Sequence, residues 1–142
     1  MMLAREQRAE AISLSDPERL IAIADDLLQG MDVGVSRGPS VGLLMVRAEE
    51  PSQRLPFNFA EVTVSEAEVS VDGTRGYAMV LGLRPEMALA GAIVDAALET
   101  SHPRSEEIEL ELAMTLEKAR TERRRQWAEV APTMVRFEEM AP

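Results

Sequence analysis

The amino-acid sequence predicts a single α+β domain in which helices flank one antiparallel β-sheet. Apolar residues recur at helical spacing toward both ends of the chain, whereas the middle alternates with the period of two that is typical of strands. Glycine and proline clusters separate these segments, and neither an internal repeat nor a linker divides them. The length of 142 residues is that of one ordinary domain with its own core.

Two helices are expected within about residues 3–29. The first, from Ala4 to Ile12, is weakly patterned. The run from Ser15 to Glu18 has the form of a capping box, in which a serine hydroxyl and a glutamate carboxylate each accept a hydrogen bond from the other residue's backbone amide. Pro17 then falls in the first turn, where a missing N–H does no harm. We therefore expect the second helix to begin at this run and to stop at Gly30.

The sheet is expected over about residues 40–82. A short apolar run covers Val41 to Arg47, and an alternating pattern follows from Phe57 to Val71. Glu49 to Gln53 predicts the loop between these strands. Asp72 to Gly76 supplies the glycines of a tight antiparallel turn before a third strand.

The second half of the chain predicts two longer helices and a last strand. From Met87 to Leu98 every side chain is apolar or glycine except that of Asp95, so the helix over about 85–99 is expected to be buried on every side. A helix over about 105–127 is expected to begin at a Ser105 cap, with glutamates near its start and arginines near its end that suit the helix dipole. A short strand over about 134–140 completes the domain.

Composition and charge exclude several classes of function. The chain has no cysteine and one histidine, which removes disulfides, thiolate nucleophiles and Cys/His zinc sites. A net charge of -10 repels phosphate backbones and anionic lipid, so nucleic acid and membrane are poor partners. No apolar run is long enough to span a bilayer and no signal peptide is recognisable, so we expect a cytoplasmic protein.

His102 and Asp95 are the side chains most suited to chemistry. Histidine is the side chain whose unperturbed pKa lies near neutrality, so His102 would be the general base of an enzyme, but it precedes Pro103 in a connection between helices, and an ordinary loop histidine is favoured. Asp95 would be costly to bury without a partner. It binds a substrate hydroxyl, or it caps a backbone or pairs with an arginine, and pairing is favoured.

Two charged runs and three glycines have simpler interpretations than ligand binding. Arg120 to Arg125 could clamp phosphates, but it spreads around more than one helical face and suits a solvated helix end. Glu106 to Glu111 lacks the carbonyl ligands of a calcium loop and predicts a charged helix face. Gly73, Gly76 and Gly82 fit no phosphate-binding motif and are interpreted as hairpin turns. The sequence has no nucleophile, base and orienting group at the spacing of a known catalytic motif. Surplus apolar helix surface and nine methionines instead suggest a protein partner.

A more specific signal runs through a set of short segments from residue 37 onward. In order, these are Arg37-Gly38-Pro39, Gly42-Leu43-Leu44-Met45-Val46-Arg47, Pro56-Phe57-Asn58-Phe59-Ala60-Glu61-Val62-Thr63-Val64, Gly73, Gly76-Tyr77-Ala78-Met79-Val80-Leu81-Gly82, Ala88, Ala92, Asp95-Ala96, Thr133-Met134-Val135-Arg136-Phe137 and Met140. Their order and spacing closely resemble the PhnG family over about residues 37–140. The chain departs from the family pattern at Ala60, at Ser65-Glu66, where an acidic residue replaces a basic one, and over Glu49 to Arg54.

The resemblance to PhnG implies a place in the bacterial carbon-phosphorus lyase system for phosphonate use. Family members act with PhnH, PhnI and PhnL to form α-D-ribose 1-methylphosphonate 5-triphosphate from MgATP and methylphosphonate, with release of adenine. The nucleosidase chemistry is assigned to PhnI, and a radical-SAM subunit, PhnJ, later breaks the carbon-phosphorus bond. PhnG, PhnH, PhnI and PhnJ form a stable core. The resemblance therefore implies a non-catalytic subunit that binds no cofactor or metal itself, MgATP being a substrate of the complex.

Six positions are candidate contacts with other subunits, because they combine the family motif with side chains that are common at interfaces. They are Arg47, Phe57, Asn58, Tyr77, Asp95 and Phe137. One alternative is a free-standing enzyme that uses His102, Asp95 and the arginine run on a nucleotide. Another is an acidic homo-oligomeric adaptor unrelated to phosphonates. Self-association of the isolated chain is a further expectation, because apolar surface meant for another subunit can pair with its own copy.

Overall fold

The computed structural model describes residues 2–135 and confirms the α+β class. Its elements in chain order are α1 (Arg5–Leu14), α2 (Pro17–Leu28), β1 (Gly34–Glu49), β2 (Pro56–Val71), β3 (Thr74–Leu81), α3 (Pro85–Glu99), α4 (Ser105–Val130) and a 3-10 turn (Ala131–Thr133). The predicted last strand has no counterpart at Met134 and Val135. Its remainder, with Phe137, lies outside the described residues.

The cap of α2 is Asp16 and not Ser15, which corrects the predicted capping box. The Asp16 carboxylate accepts a hydrogen bond from the Arg19 amide at 2.9 Å. Pro17 is the first helical residue and disfavours a helical conformation in the residue before it, so Asp16 is held extended in the cap position. Ser15 ends α1 instead, where its hydroxyl donates to the Ala11 carbonyl at 2.8 Å.

Two other helix boundaries differ from prediction by a few residues. The predicted cap Ser105 is itself the first residue of α4, and its buried hydroxyl has no hydrogen-bond partner within residues 2–135. At its other end α4 runs to Val130, three residues past the expected end at Trp127. From Trp127 to Val130 the sequence holds no glycine or proline that would stop the helix, whereas Pro132 follows in the 3-10 turn.

The three strands form an antiparallel sheet in the order β1-β2-β3, so β1 and β3 are its two edges. Asp72 and Gly73 alone form the turn between β2 and β3, both with positive φ, and Val71 pairs directly with Thr74. The predicted turn through Gly76 is therefore too long. Two consecutive positive φ angles give the twist that a two-residue antiparallel hairpin needs.

Gly76 lies inside β3, where its lack of a side chain lets α3 approach the sheet. A Cβ at this position would stand 2.2 Å from the Ala92 carbonyl oxygen and 2.6 Å from the Ala96 Cβ. Most of α3 is buried, as predicted, between the sheet and the other helices. The core therefore lies on one face of the sheet, with Ile12 of α1, Leu20 of α2 and Ile108 of α4 contributing to it.

Candidate interaction surface

One end of the sheet has only two strands and projects beyond the rest of the molecule. β3 ends at Leu81, which pairs with Val64, so residues 43–49 of β1 and 56–63 of β2 pair only with each other. We call these two segments the ribbon. At about 3.3 Å per residue, the ribbon extends roughly 23 Å past the three-stranded sheet.

A tight loop closes the tip of the ribbon. It covers residues 50–55, slightly later than predicted. The Glu50 carboxylate accepts hydrogen bonds from the Ser52 hydroxyl, from the Ser52 amide at 2.8 Å and from the Gln53 amide at 2.9 Å. These hydrogen bonds, that of the Ser52 hydroxyl most of all, lower the pKa of Glu50. The Glu50 amide in turn donates to the Leu55 carbonyl at 2.9 Å. The loop thus satisfies its own polar groups and needs no partner for them.

Large apolar side chains of the ribbon are exposed. Their exposed fractions run from 44% to 68%, and the residues are Leu43, Leu44, Met45, Phe57 and Phe59. Isolated exposed apolar residues are ordinary, but a contiguous group of this kind marks an interaction site. The ribbon is therefore the leading candidate surface of the chain.

Three of the six predicted contact residues meet on the ribbon. Arg47 pairs across the strands with Asn58, and Phe57 follows directly opposite Ala48. A register shift after Val46 leaves Phe59 as an extra residue of β2. The Phe59 ring packs edge to face against the Phe57 ring, with 6.4 Å between the ring centroids. Phe59 was not among the predicted contacts, although it is the most exposed of the ribbon's apolar residues.

The outer half of α4 is a second exposed region. Residues 121–130 are all exposed, although α4 is roughly 39 Å long and its first half is packed against the core. Trp127 and Val130, both exposed, lie on the same face of the helix as the buried Ile108, Leu112 and Leu116, with Arg120 and Arg123 between the two groups. The core-facing side of the helix thus ends in two exposed apolar residues.

A shallow cleft on this half of α4 tests the idea of a phosphate clamp. Its volume is about 390 Å³, and it is lined by Arg120, Arg123, Arg124 and Trp127. Arg124 pairs with Glu117 at 3.1 Å, and the other two guanidiniums approach Glu10 at 3.7 and 3.9 Å. Each arginine therefore already faces a carboxylate, which suits a solvated helix end better than an anion site.

Asp95 is buried and its carboxylate is fully engaged inside the chain. It accepts hydrogen bonds from Arg8 Nε at 3.0 Å, from Arg5 at 3.1 Å and from the Tyr77 amide at 3.0 Å. Arg8, itself 4% exposed, also bonds Glu99. The prediction that Asp95 pairs with an arginine is confirmed. Its oxygens are engaged by α1 and β3, and its role as a contact with another subunit stays a prediction.

Tyr77 stands on the opposite face of the sheet from α3. Its hydroxyl donates to the Glu66 carboxylate at 2.7 Å, and Arg37 of β1 pairs with the same carboxylate at 3.1 Å. Burial, together with the hydrogen bond and the negative charge of Glu66, raises the pKa of Tyr77 to about 12. The guanidinium of Arg75 lies over the Tyr77 ring at 5.9 Å. This polar array holds β1, β2 and β3 together on the exposed side of the sheet.

His102 lies at the entrance to α4 and takes part in the local turn. Its Nδ1 accepts a hydrogen bond from the Arg104 amide at 3.2 Å, and its carbonyl accepts one from Ser105 at 2.8 Å. Within residues 2–135 no group of histidine and acidic side chains has the arrangement of a metal site. None of the helices in that part of the chain has the length and apolar character to cross a membrane.

Comparison with known proteins identifies the family. The sequence profile described as "Phosphonate metabolism protein PhnG" matches residues 3–141. The chain belongs to the PhnG family. It is also similar to a protein of Rhizobium meliloti (strain 1021) named alpha-D-ribose 1-methylphosphonate 5-triphosphate synthase subunit PhnG. The two are 36% identical over 109 residues, which cover 75% of this chain and 68% of that protein. The resemblance predicted from the sequence is confirmed.

Two groups of PhnG motif residues lie in the ribbon and in the contact of α3 with β3. Residues 43–47 and 56–63 belong to the ribbon, whereas Gly76, Ala92 and Asp95 belong to the packed contact. The unusual Ser65-Glu66 pair also has a structural explanation. The Ser65 hydroxyl donates to the Gly82 carbonyl and accepts from the Arg84 amide, both at 2.8 Å. The Glu66 carboxylate accepts hydrogen bonds from the Tyr77 hydroxyl and from Arg37, so the acidic side chain has two partners on this face of the sheet.

Proposed function

We propose that this chain is a non-catalytic subunit of an α-D-ribose 1-methylphosphonate 5-triphosphate synthase complex, in which the ribbon holds neighbouring subunits in place. The Rhizobium relative carries the name of such a subunit. The observation that carries the docking role is the exposure of the ribbon's apolar side chains. Exposed apolar surface of this kind marks a site that another chain covers.

The two faces of the ribbon support insertion between other chains. Successive residues of a strand point to opposite faces, so Leu43 and Met45 lie on one face and Leu44 lies on the other. The body of the chain covers neither face at these positions, where exposure ranges from 44% to 67%. A partner that covered one face alone would leave apolar surface on the other. We therefore assign contacts to both faces.

The engagement of the titratable groups supports a non-catalytic role. Displacement of adenine from a ribose carbon needs a carboxylate near the developing positive charge and an acid for the leaving purine. Asp95 is bonded to two guanidiniums, and the ring nitrogen Nδ1 of His102 accepts from the Arg104 amide. These groups are occupied in maintaining the fold.

The partners follow from the family. PhnH-, PhnI- and PhnJ-type subunits are the proposed stable partners, with a functional association to a PhnL-type protein. MgATP and methylphosphonate are substrates of the complex, and this chain binds no cofactor of its own. The proposed location is the cytoplasm. The exposed half of α4, with Trp127 and Val130, is the second proposed docking region.

The test is assembly of the complex from co-expressed subunits with an affinity tag on the PhnI-type subunit. Phe59→Asp places a charge on the ribbon, and Leu14→Asp is the matched control at an exposed apolar position of the body. We expect Phe59→Asp to reduce co-purification of this chain at least about tenfold, with a parallel loss of adenine release from MgATP and methylphosphonate. Leu14→Asp should retain both. Equal recovery of the two variants would contradict the docking role of the ribbon.

The rival enzyme makes a different prediction. The purified chain, incubated alone with MgATP and methylphosphonate, should release no adenine. Release by the chain alone that disappears in His102→Ala would establish a catalytic site here and overturn the non-catalytic role.

A further inference from the structure

The outer side of β1 is an open sheet edge. Apart from its pairing with β2, β1 makes no backbone hydrogen bond to anything within residues 2–135. Its segment 41–46 is Val-Gly-Leu-Leu-Met-Val, which carries no charge and no proline. Natural proteins blunt exposed edges with charges, prolines or a covering element, because unpaired N–H and C=O groups template the addition of another strand. Among residues 2–135, no charge, proline or covering element protects segment 41–46.

We propose that two copies of the isolated chain pair antiparallel through residues 41–46 of β1, which joins their sheets into one sheet of six strands. The inference concerns the chain apart from its complex and goes beyond the proposed function. The edge of β1 is thereby assigned as the surface of the self-association that the surplus apolar surface suggests.

The segment is complementary to itself in the antiparallel direction. With Leu43 opposite the second copy's Leu43, Val41 lies opposite Met45 and Gly42 opposite Leu44. Cross-strand apolar pairs stabilise an antiparallel sheet, and from residue 41 to residue 45 no polar side chain falls between them, while Val46 lies opposite Ser40. The three larger residues on one face, Val41, Leu43 and Met45, are 47% to 67% exposed in the single chain and would be partly covered in the pair.

The charges that flank the segment select the antiparallel arrangement of two copies. Arg37 precedes the segment, and Arg47, Glu49 and Glu50 follow it. With Leu43 at the centre, antiparallel pairing brings Arg37 of one copy toward Glu49 of the other and places Arg47 opposite the uncharged Pro39, and the same contacts recur at the far end by symmetry. Parallel pairing would instead place arginine against arginine and glutamate against glutamate, which is destabilising.

The test is the molar mass of the purified full-length chain by size-exclusion chromatography with light scattering. Leu43→Lys would place two like charges opposite each other at the centre of the proposed contact. Leu110→Lys on α4 is the matched control, since Leu43 is 67% exposed and Leu110 is 64% exposed. We expect a dimer for the wild type and for Leu110→Lys, and a monomer for Leu43→Lys. Far-ultraviolet circular dichroism confirms that both variants are folded.

A charge swap at position 43 provides a second test if one variant fails to fold. Leu43→Glu should also be a monomer alone, and an equal mixture of Leu43→Lys and Leu43→Glu should regain the dimer mass. A monomeric wild type would overturn the proposal. So would a dimer that survives Leu43→Lys, or one that Leu110→Lys abolishes, because the contact would then lie elsewhere. These outcomes leave the proposed function untouched, since that function is tested on co-expressed subunits.

Discussion

The two edges of the same three-stranded sheet are treated in opposite ways. At β3, the Tyr77 amide donates to Asp95, and Arg5 of α1 donates to the Arg75 carbonyl at 3.3 Å. Side chains of α1 and α3 thus satisfy two outward backbone groups of that edge. At β1, the outward groups have no such partner within the described residues, and the strand continues into the ribbon.

The β3 edge, which we call the closed edge, stabilises the fold of the chain. The β1 edge, which we call the open edge, is left for contacts with other chains. The closed edge uses a buried ion-pair network and a close helix contact, both of which are needed for the fold. The open edge and the ribbon contribute little to the core, since residues 34–45 of β1 are all exposed. Changes at the closed edge should therefore alter stability, whereas changes at the open edge should alter association.

The largest expected effect is the loss of the carboxylate at the closed edge. Asp95→Ala leaves the buried guanidinium of Arg8 with only Glu99 and removes the acceptor of the Tyr77 amide. Breaking a buried ion pair from one side costs about 4 kcal/mol of unfolding free energy. Urea denaturation followed by circular dichroism measures it.

The matched change at the open edge is Arg37→Ala, which removes an exposed ion pair with Glu66. Exposed pairs contribute up to about 1 kcal/mol, so this variant should unfold close to the wild type. If the two alanine variants lost similar stability, the distinction between the edges would be wrong.

A smaller effect is expected when a methyl group is added to a glycine in each edge strand. Gly76→Ala forces a Cβ against the backbone of α3, where overpacking should cost about 2 to 3 kcal/mol. At Gly42 of β1 a Cβ would meet no atom within 4 Å. Gly42→Ala should therefore be neutral or stabilise by up to about 0.5 kcal/mol, because alanine loses less conformational freedom than glycine. The midpoints of thermal unfolding compare the pair, and a greater loss for Gly42→Ala would refute the assigned packing.

The smallest expected effect is a pH dependence in the array that links both edges. The pKa of Tyr77 is about 12 in the folded chain, against about 10 in an unfolded one. Between pH 10 and 12 the unfolded chain has lost this proton and the folded chain still holds it. The contribution of Tyr77 is thus fully present below pH 10 and is lost as the pH rises toward 12.

Tyr77 is the only tyrosine of the chain, so the ultraviolet absorbance of its phenolate reports this titration directly. Glu66→Gln should move the midpoint down toward 10 without reaching it, because burial, the larger cause, remains. A wild-type midpoint at the unfolded value would show that the hydroxyl is not held as described.

The closed edge was largely predictable from the sequence, whereas the open edge was not. An apolar helix with one carboxylate predicts burial and an arginine partner for Asp95. Arg5 and Arg8 could not be identified, because about ninety residues separate them from Asp95. Alternation predicts the strands, but the ribbon exists because β3 ends opposite Val64, and no local pattern fixes where a neighbouring strand ends. Phe59 was overlooked because the register shift that positions it depends on pairing and not on sequence period.

The most direct test is the reactivity of a single thiol on the ribbon, which is a clean probe because the chain has no cysteine. Phe59→Cys is alkylated in the isolated chain and in the complex with its co-expressed partner subunits, and mass spectrometry follows the rate. Leu14→Cys serves as the reference for a position on the body. Our account predicts that assembly slows alkylation at position 59 at least about tenfold and leaves position 14 unchanged. Equal rates at position 59 in the free and assembled chain would contradict the claim that the ribbon is where this protein joins its partners.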